Sequence, residues 1–214
     1  MIKKGLILLF TIVVFVGINV VKQALCQPAE DLNIRHMPEG YIYAASGIED
    51  TISPGGFGRS DNYPEKTGKH DFKDKKDLFL EIDTSQIVTF AGRFNGYRLY
   101  IGNKSDSLVR LNASDSRLYA VAEAYYEGRW QPIEYLPSSW CGNSYHYVYL
   151  RQNEYWKFTV PRFTGEIAVK LRYRLDTGYG QSVYSNEIPA RINPGQLTRK
   201  EDREPSGIMD PYGD

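Results

Sequence analysis

The stretch EIAVKLRYRL, residues 166–175, decides the fold class of this chain. Apolar side chains occupy every second position, and the residues between them include Lys170, Arg172 and Arg174. This alternation is typical of a β-strand with one buried and one solvated face. Each buried large apolar side chain contributes about 1.5–3 kcal/mol, and a one-residue slip would place the arginines in the core. The stretch therefore predicts a strand with a firmly specified register.

Similar short runs recur along the chain, bounded by Gly, Asn, Asp and Pro. No window of a dozen residues in this region shows a convincing apolar repeat at helical spacing, and β-branched and aromatic residues dominate. The sequence therefore predicts an all-β protein built of antiparallel sheets, folded as a sandwich or barrel. The further predicted strands are 78–83, 87–94, 97–102, 108–111, 118–126, 130–135, 145–150, 155–160 and 183–192.

The first 26 residues are typical of a secretory signal peptide. Lys3 and Lys4 precede an apolar run from Gly5 to Val21, and Cys26 ends a small-residue cleavage site. The prediction is a secreted, periplasmic or cell-surface protein with no membrane span after cleavage. Two alternatives remain open, an uncleaved signal anchor and a lipoprotein modified at Cys26.

The remaining chain divides into three parts by composition. Residues 27–75 are rich in Gly and Pro and predict a loop-rich lead-in, in which 41–45 could add an edge strand. Residues 76–193 carry the predicted strands and form the β-sandwich domain. Residues 194–214 are polar and charged, which predicts a disordered tail.

A family resemblance supports this architecture. The segment VKLRYRLDTGYGQSVYSNEIPA, residues 169–190, resembles the last two strands of a fibronectin type III or related immunoglobulin-like domain. The resemblance implies a penultimate strand over 169–175, a hairpin over 176–181 and a last strand over 182–192. A second segment, 123–150, resembles one that recurs in uncharacterised secreted proteins of Gram-negative bacteria. That resemblance implies a secreted immunoglobulin-like β-sandwich with no assigned activity.

Charge and cysteine content narrow the function classes. The sequence has 26 basic and 26 acidic residues, and the basic surplus typical of nucleic-acid binding is absent. The predicted leader contains Cys26, so Cys141 is the only cysteine expected in the processed chain and no internal disulfide is expected. Cys141 with His146 is the minimal pair for thiolate catalysis, but a buried thiol in a turn is the favoured interpretation. The three histidines are too scattered for a metal motif, so neither a metal nor a cofactor is predicted.

An aromatic cluster is the main candidate for a binding site. Exposed flat rings with polar rims suit stacking on sugars or contact with a protein, whereas buried rings would simply pack the sandwich. Tyr145, Tyr147 and Tyr149 share one strand face, so all three are expected to be buried or exposed together. The tentative ligand-binding residues are Trp130, Tyr135, Trp140, Tyr145, Tyr147 and Trp156.

The sequence thus favours a non-catalytic extracytoplasmic module for binding or surface assembly, with an envelope protein or a glycan as partner. One alternative is a carbohydrate-binding module that uses exposed Trp and Tyr side chains. A second is a hydrolase of the cell envelope, which would require a cleft lined by carboxylates or a thiolate.

Overall fold

The strands of the computed structural model form antiparallel sheets, in agreement with the predicted all-β fold class. The structure describes residues 29–53, 55–69, 72–137, 142–178 and 180–198. The predicted signal peptide and residues 199–214 of the predicted tail lie outside the described residues. In chain order the strands are β1 (Glu65–Lys66), β2 (Leu78–Phe90), β3 (Phe94–Asn103), β4 (Val109–Ser114), β5 (Arg117–Leu118), β6 (Ala120–Tyr126), β7 (Arg129–Pro132), β8 (Tyr145–Leu150), β9 (Glu154–Pro161), β10 (Ile167–Gly178), β11 (Gln181–Tyr184) and β12 (Ile188–Ile192).

The strands of the described residues form three sheets. Sheet A has the order β1-β9-β3-β2, and sheet B has the order β5-β4-β8. Sheet C has the order β11-β10-β6-β7, and β12 also pairs with β10. All three sheets contribute buried side chains to one hydrophobic core, which gives the described unit a β-sandwich-like form.

The strand that decides the fold class lies at the centre of sheet C. In β10, Val169, Leu171, Tyr173 and Leu175 are buried, and the residues between them are exposed or half-buried. This burial confirms the alternation expected from the sequence. β6 pairs along one edge of β10, and β11 and β12 pair along the other. The single last strand predicted over 182–192 is divided into β11 and β12 around Ser185 and Asn186. Ser185 donates its backbone N–H to the Tyr173 carbonyl but accepts the Tyr173 N–H at its side-chain oxygen, and the Asn186 side chain bonds to Ile82 of β2.

The first predicted pair of strands is one long strand. β2 runs through the polar residues 84–86, and its pairing with β3 shifts register between Asp83 and Val88. A tight turn at Ala91 and Gly92, both with positive φ, then leads into β3. The polar residues 84–86 therefore form an exposed irregularity within one strand, not a loop between two strands.

Sheet A is partly buried on both faces. Leu99 and Ile101 of β3 point into the main core, whereas Tyr100 points to the opposite side. There Tyr100 packs with Phe79 and Tyr155 beneath Phe72, whose ring centroid lies 5.3 Å from that of Tyr155. This second cluster explains the near-continuous burial along β3.

The lead-in packs against the sheets between 38 and 45. The Gly40 N–H donates to the Tyr135 carbonyl at 2.8 Å, and the Leu118 N–H donates to the Ile42 carbonyl at 2.8 Å. Ile42 and Ala44 are part of the main core. The segment thus follows the edges of sheets C and B in turn, through isolated bridges at Glu39 and Tyr43 rather than as a regular strand.

The two flanks of the described unit meet. The Asn193 side-chain amide donates to the Ile34 carbonyl and to Asn33 Oδ1, at 2.6 and 2.7 Å. Pro194–Leu197, at the start of the predicted tail, form a short 3-10 helix in which Gln196 is fully buried. The described part of that segment is therefore packed against the rest of the unit. No helix among the described residues is sufficiently long and apolar to cross a membrane.

Candidate functional site

A groove of about 680 Å³ lies where sheets B and C meet, and we call it the junction groove. Its lining combines aromatic rings with charged groups from both sheets and from the segment after β7. The aromatic members are Tyr119, Trp130, Tyr135 and Tyr145, and the charged members are Arg117, Arg129, Glu134, Arg174 and Asp176.

Tyr119 lies at the step between the two sheets. It separates β5 from β6, and its neighbours Leu118 and Ala120 are fully buried. Its carbonyl accepts the Asp176 N–H at 2.8 Å, which ties the step to the end of β10. Burial raises the pKa of Tyr119 to about 12, so its side chain stays an uncharged phenol that can donate a hydrogen bond. The local chain path therefore directs an aromatic ring into the groove.

The wall at Trp130 is held by a row of charged and aromatic side chains across sheet C. The Arg172 guanidinium carbon lies 4.0 Å from the centroid of the Trp130 ring and 3.9 Å from that of Tyr184. The Arg172 Nε in turn donates to Glu123 Oε2 at 3.0 Å, and the Arg174 Nε donates to Glu123 Oε1 at 2.7 Å. Cation–π contacts and charge-assisted hydrogen bonds are both directional. The contacts of Arg172 with Trp130 and Glu123 therefore fix the orientation of the Trp130 ring without any ligand.

The carboxyl groups of the groove are bonded to backbone amides. Glu134 Oε2 accepts the Ala122 N–H at 2.9 Å, and Asp176 Oδ1 accepts the Gly178 N–H at 2.9 Å. Glu134 is only 2% exposed, and its burial raises the pKa to about 7 although the bond to Ala122 opposes this shift. Just beyond the end of β7, the Glu134 side chain thus accepts a β6 N–H that a neighbouring strand would otherwise bond.

Buried hydroxyl groups surround this region. Among the described residues, the hydroxyls of Tyr41, Tyr173 and Ser114 have no hydrogen-bond partner. Ser114 also lines the junction groove and is 6% exposed. An unpaired buried hydroxyl costs roughly 1–3 kcal/mol, and the Ser114 oxygen is itself buried, so it lies within the wall of the groove rather than on its accessible surface.

A second cavity of about 550 Å³ adjoins the junction groove, because Tyr119 and Tyr145 line both. It lies on the outer face of sheet B beside Tyr147, whose ring centroid is 4.4 Å from the Arg110 guanidinium carbon. The Tyr147 N–H donates to Asp50 Oδ2 at 2.8 Å, so the loop around Asp50 closes the edge of β8. Aromatic side chains therefore continue from one cavity to the next.

The structure divides the predicted aromatic site. Trp130, Tyr135 and Tyr145 line the junction groove, and Tyr147 lines the adjoining cavity. Tyr145, Tyr147 and Tyr149 are all half-buried on one face of β8, as expected. Trp140 lies outside the described residues.

Trp156 does not belong to this surface and is corrected to a core residue. Its side chain is fully buried, and its indole N–H donates to the Ala45 carbonyl at 2.7 Å. The sequence prediction missed Tyr119, Arg129 and Arg174. Tyr119 falls inside the single strand predicted over 118–126, and no sequence signal marked the step between β5 and β6.

His146, which was weighed with Cys141 as a possible catalytic pair, makes contacts that stabilise the fold. Its Nε2 accepts the Ser116 N–H at 2.9 Å, and its ring stacks on Phe57 with centroids 3.8 Å apart. Burial lowers the pKa of His146, partly offset by the bond to the Tyr147 carbonyl. A neutral imidazole that accepts at Nε2 suits this role. Cys141 lies outside the described residues, and within the described ranges no cluster of three His, Cys, Asp or Glu side chains could hold a metal.

No protein-family model, curated protein or solved structure matches this chain.

Proposed function

We propose that this chain is a non-catalytic binding module that acts outside the cytoplasm and holds its ligand in the junction groove. The observation that carries the proposal is the convergence of four aromatic side chains in one groove of about 680 Å³. Concave sites of this size with a few directed polar groups are typical of ligand binding. The extracytoplasmic location rests on the signal-like sequence of residues 1–26.

The order of the strands supports an immunoglobulin-like sandwich as the scaffold. In sheet C, the pairing order β11-β10-β6-β7 joins the C-terminal hairpin to an earlier hairpin, while β2, β3 and β9 pair in sheet A. Such division of strands between two sheets is typical of immunoglobulin-like domains. Sheet B would then be an addition, inserted before β6 and after β7, that supplies one wall of the groove.

A glycan is the ligand class that the groove favours. Aromatic rings present flat apolar faces to sugar rings, and arginine and tyrosine side chains supply donors to hydroxyl groups. Trp130 is held by Arg172 and therefore loses little conformational freedom on binding. A protein partner fits less well, because the rings lie along a groove rather than on a flat or convex patch.

The alternative of a cell-envelope hydrolase has less support. A glycoside hydrolase needs two carboxyl groups on opposite sides of the scissile bond. In the groove, Glu134 and Asp176 each use one carboxyl oxygen to accept a backbone N–H. Hydrolysis of an envelope polymer that is abolished by Asp176→Asn or Cys141→Ala, with the fold retained, would contradict the non-catalytic proposal.

The proposal is tested by capture from solubilised native envelope. The immobilised protein is compared with Tyr119→Ala, which removes a ring from the groove, and with Tyr63→Ala, which removes a tyrosine that is 57% exposed and outside the groove. We expect the component retained by the unchanged protein to fall at least about fivefold with Tyr119→Ala and to be unaffected by Tyr63→Ala. Equal capture by all three proteins would contradict a binding role for the groove.

A further inference from the structure

The second cavity continues the space of the junction groove. Tyr119 and Tyr145 line both cavities, and both cavities are open to solvent. A site for one small ligand typically measures about 300–1,000 Å³. The junction groove measures about 680 Å³ and the second cavity about 550 Å³, so each is large enough for such a ligand and together they exceed this range. A chain-like ligand that passes over the Tyr119 and Tyr145 rings would occupy both cavities.

The strand β8 places aromatic side chains along this path. Tyr145 and Tyr147 are half-buried neighbours on one face of the strand. Each residue of an antiparallel strand advances the chain by about 3.4 Å, so the two positions lie about 7 Å apart, a spacing comparable to one sugar unit of a linear glycan. The Arg110 guanidinium carbon lies 4.4 Å from the centroid of the Tyr147 ring and restricts its movement. Ile52 adds an exposed apolar side chain to the lining of the second cavity.

The charges along the path favour an uncharged ligand. Acidic and basic side chains both line the junction groove. In the second cavity, Asp50 is the only Asp, Glu, Lys or Arg among the described lining residues, and its two carboxyl oxygens accept the Ile52 and Tyr147 N–H groups. A polyanion would face Asp50 in the second cavity, and a polycation would face the arginines of the junction groove. Uncharged hydroxyl groups suit the exposed amide side chains of Asn112 and Asn143 in the second cavity.

We propose that the second cavity is a further subsite of the junction groove, and that the ligand is an uncharged linear oligosaccharide long enough to occupy both. This inference rests on the proposed function and specifies its ligand. The Tyr119 and Tyr145 rings contact the middle of the bound chain, and Tyr147 contacts the part that lies in the second cavity. Tyrosine supplies a flat apolar face for a sugar ring and a hydroxyl for its polar groups. The second cavity therefore adds affinity only for chains that reach it.

The test compares short and long forms of the same neutral sugars. Trimers and hexamers of cellulose, of xylan, of mannan and of chitin are titrated against the full chain by calorimetry. We expect at least one hexamer to bind at least about tenfold more tightly than its trimer, because only the hexamer reaches the second cavity. Raising NaCl from about 50 to about 500 mM should change that affinity by less than about twofold, because salt screens interactions between charges.

Three variants locate the second subsite. Tyr147→Ala removes its aromatic ring and should weaken the hexamer at least about fivefold, with little effect on the trimer. Ile52→Ala truncates an exposed side chain of the same cavity and should weaken the hexamer at least about twofold. Tyr63→Ala removes an exposed tyrosine outside both cavities and should leave both oligomers unaffected.

The assignment is overturned if hexamer and trimer bind equally, or if Tyr147→Ala weakens both to the same extent. If Tyr147→Ala does not fold, Ile52→Ala decides, and an unchanged hexamer affinity in that variant overturns the assignment.

The outcomes separate this inference from the proposed function. If no oligomer of the panel binds, or if added salt abolishes the binding, the inference of an uncharged glycan is overturned. The proposed function still stands in either case if Tyr119→Ala reduces capture from native envelope. If capture is independent of Tyr119, the proposed function itself fails.

Discussion

Burial changes the acid–base chemistry of Glu134. Its carboxyl group is buried beside Ala122, and the phenols of Tyr41 and Tyr173 lie close enough for the carboxylate to raise their pKa values, after burial itself. Arg117, Arg174 and Asp176 are the charged groups on the groove side. Burial without a guanidinium partner favours the protonated carboxyl.

The first prediction concerns pH. The pKa of Glu134 rises from 4.5 to about 7, so between these values the folded protein holds a proton that the unfolded chain has released. Its contribution to stability is therefore present below about pH 4.5 and is lost as pH rises through about 7, by up to about 3 kcal/mol. Glu134→Gln keeps an oxygen that accepts the Ala122 N–H but does not titrate. Urea unfolding at several pH values should show the variant gaining on the unchanged protein by this amount between pH 4 and pH 8.

The control is Glu49→Gln, which removes an exposed carboxyl in the lead-in. It should follow the pH profile of the unchanged protein. A constant difference between Glu134→Gln and the unchanged protein across this range would contradict the raised pKa.

At the scale of the strands, side chains close two sheet edges that would otherwise be open. The Asn186 side chain accepts the Ile82 N–H at 2.7 Å and donates to the Ile82 carbonyl at 3.0 Å, which occupies the edge of β2. At the edge of β8, the Asp50 carboxylate accepts the Tyr147 N–H and so occupies one backbone donor. Unpaired edges promote association between chains, so both contacts protect against aggregation as well as adding stability.

The second prediction tests the Asn186 contact. Asn186→Asp keeps the shape but replaces the amide donor with a carboxylate oxygen that repels the Ile82 carbonyl. We expect a loss of about 1–3 kcal/mol in the free energy of unfolding, measured by urea denaturation. Gln86→Glu makes the same amide-to-acid change at an exposed position of β2 and should cost much less. Equal stability of the two variants would mean that the edge contact contributes nothing.

The strands were predictable from sequence where a single face is buried. In β10 the alternating sequence alone fixes which face is buried, because a one-residue shift in register would bury charged side chains. The division between β11 and β12 was not predictable, since it depends on the Ser185 side chain replacing a backbone acceptor for Tyr173 and on the Asn186 side chain reaching the distant β2. Tertiary packing also determines that Trp156 is buried whereas Trp130 lines the groove. Both residues lie in strands rich in aromatic residues, and only the packing of sheet A against the core distinguishes them. Tyr119 was missed because a single residue that separates the strands of two sheets produces no repeating pattern in the sequence.

At the scale of the whole molecule, the lead-in is part of the structural unit. The unit defined by contacts begins at Asp31, and Ile42 and Ala44 lie in the same core as the strands. Trp156 also depends on the lead-in, because its indole N–H bonds to Ala45. We therefore expect a chain that begins at residue 76 to lose cooperative folding, whereas a chain that begins at residue 31 should retain it.

The third prediction measures this dependence with one residue. Ile42→Ala removes a side chain that is 2% exposed and should lower the free energy of unfolding by about 2–5 kcal/mol. Such a loss is a large fraction of the 5–15 kcal/mol typical of a folded domain. Ile52→Ala truncates a lead-in isoleucine that is 72% exposed and should change stability by less than about 0.5 kcal/mol. A similar small effect at both positions would show that the lead-in is peripheral.

The clasp between Asn193 and Ile34 also has a mechanical consequence. It joins the first and last parts of the unit, so tension between residues 31 and 198 would act on this clasp and on the bonds that tie Asp31 and Leu32 to Arg162. These short-range contacts at the two flanks would have to open before a pull could separate the strands in the middle of the sheets.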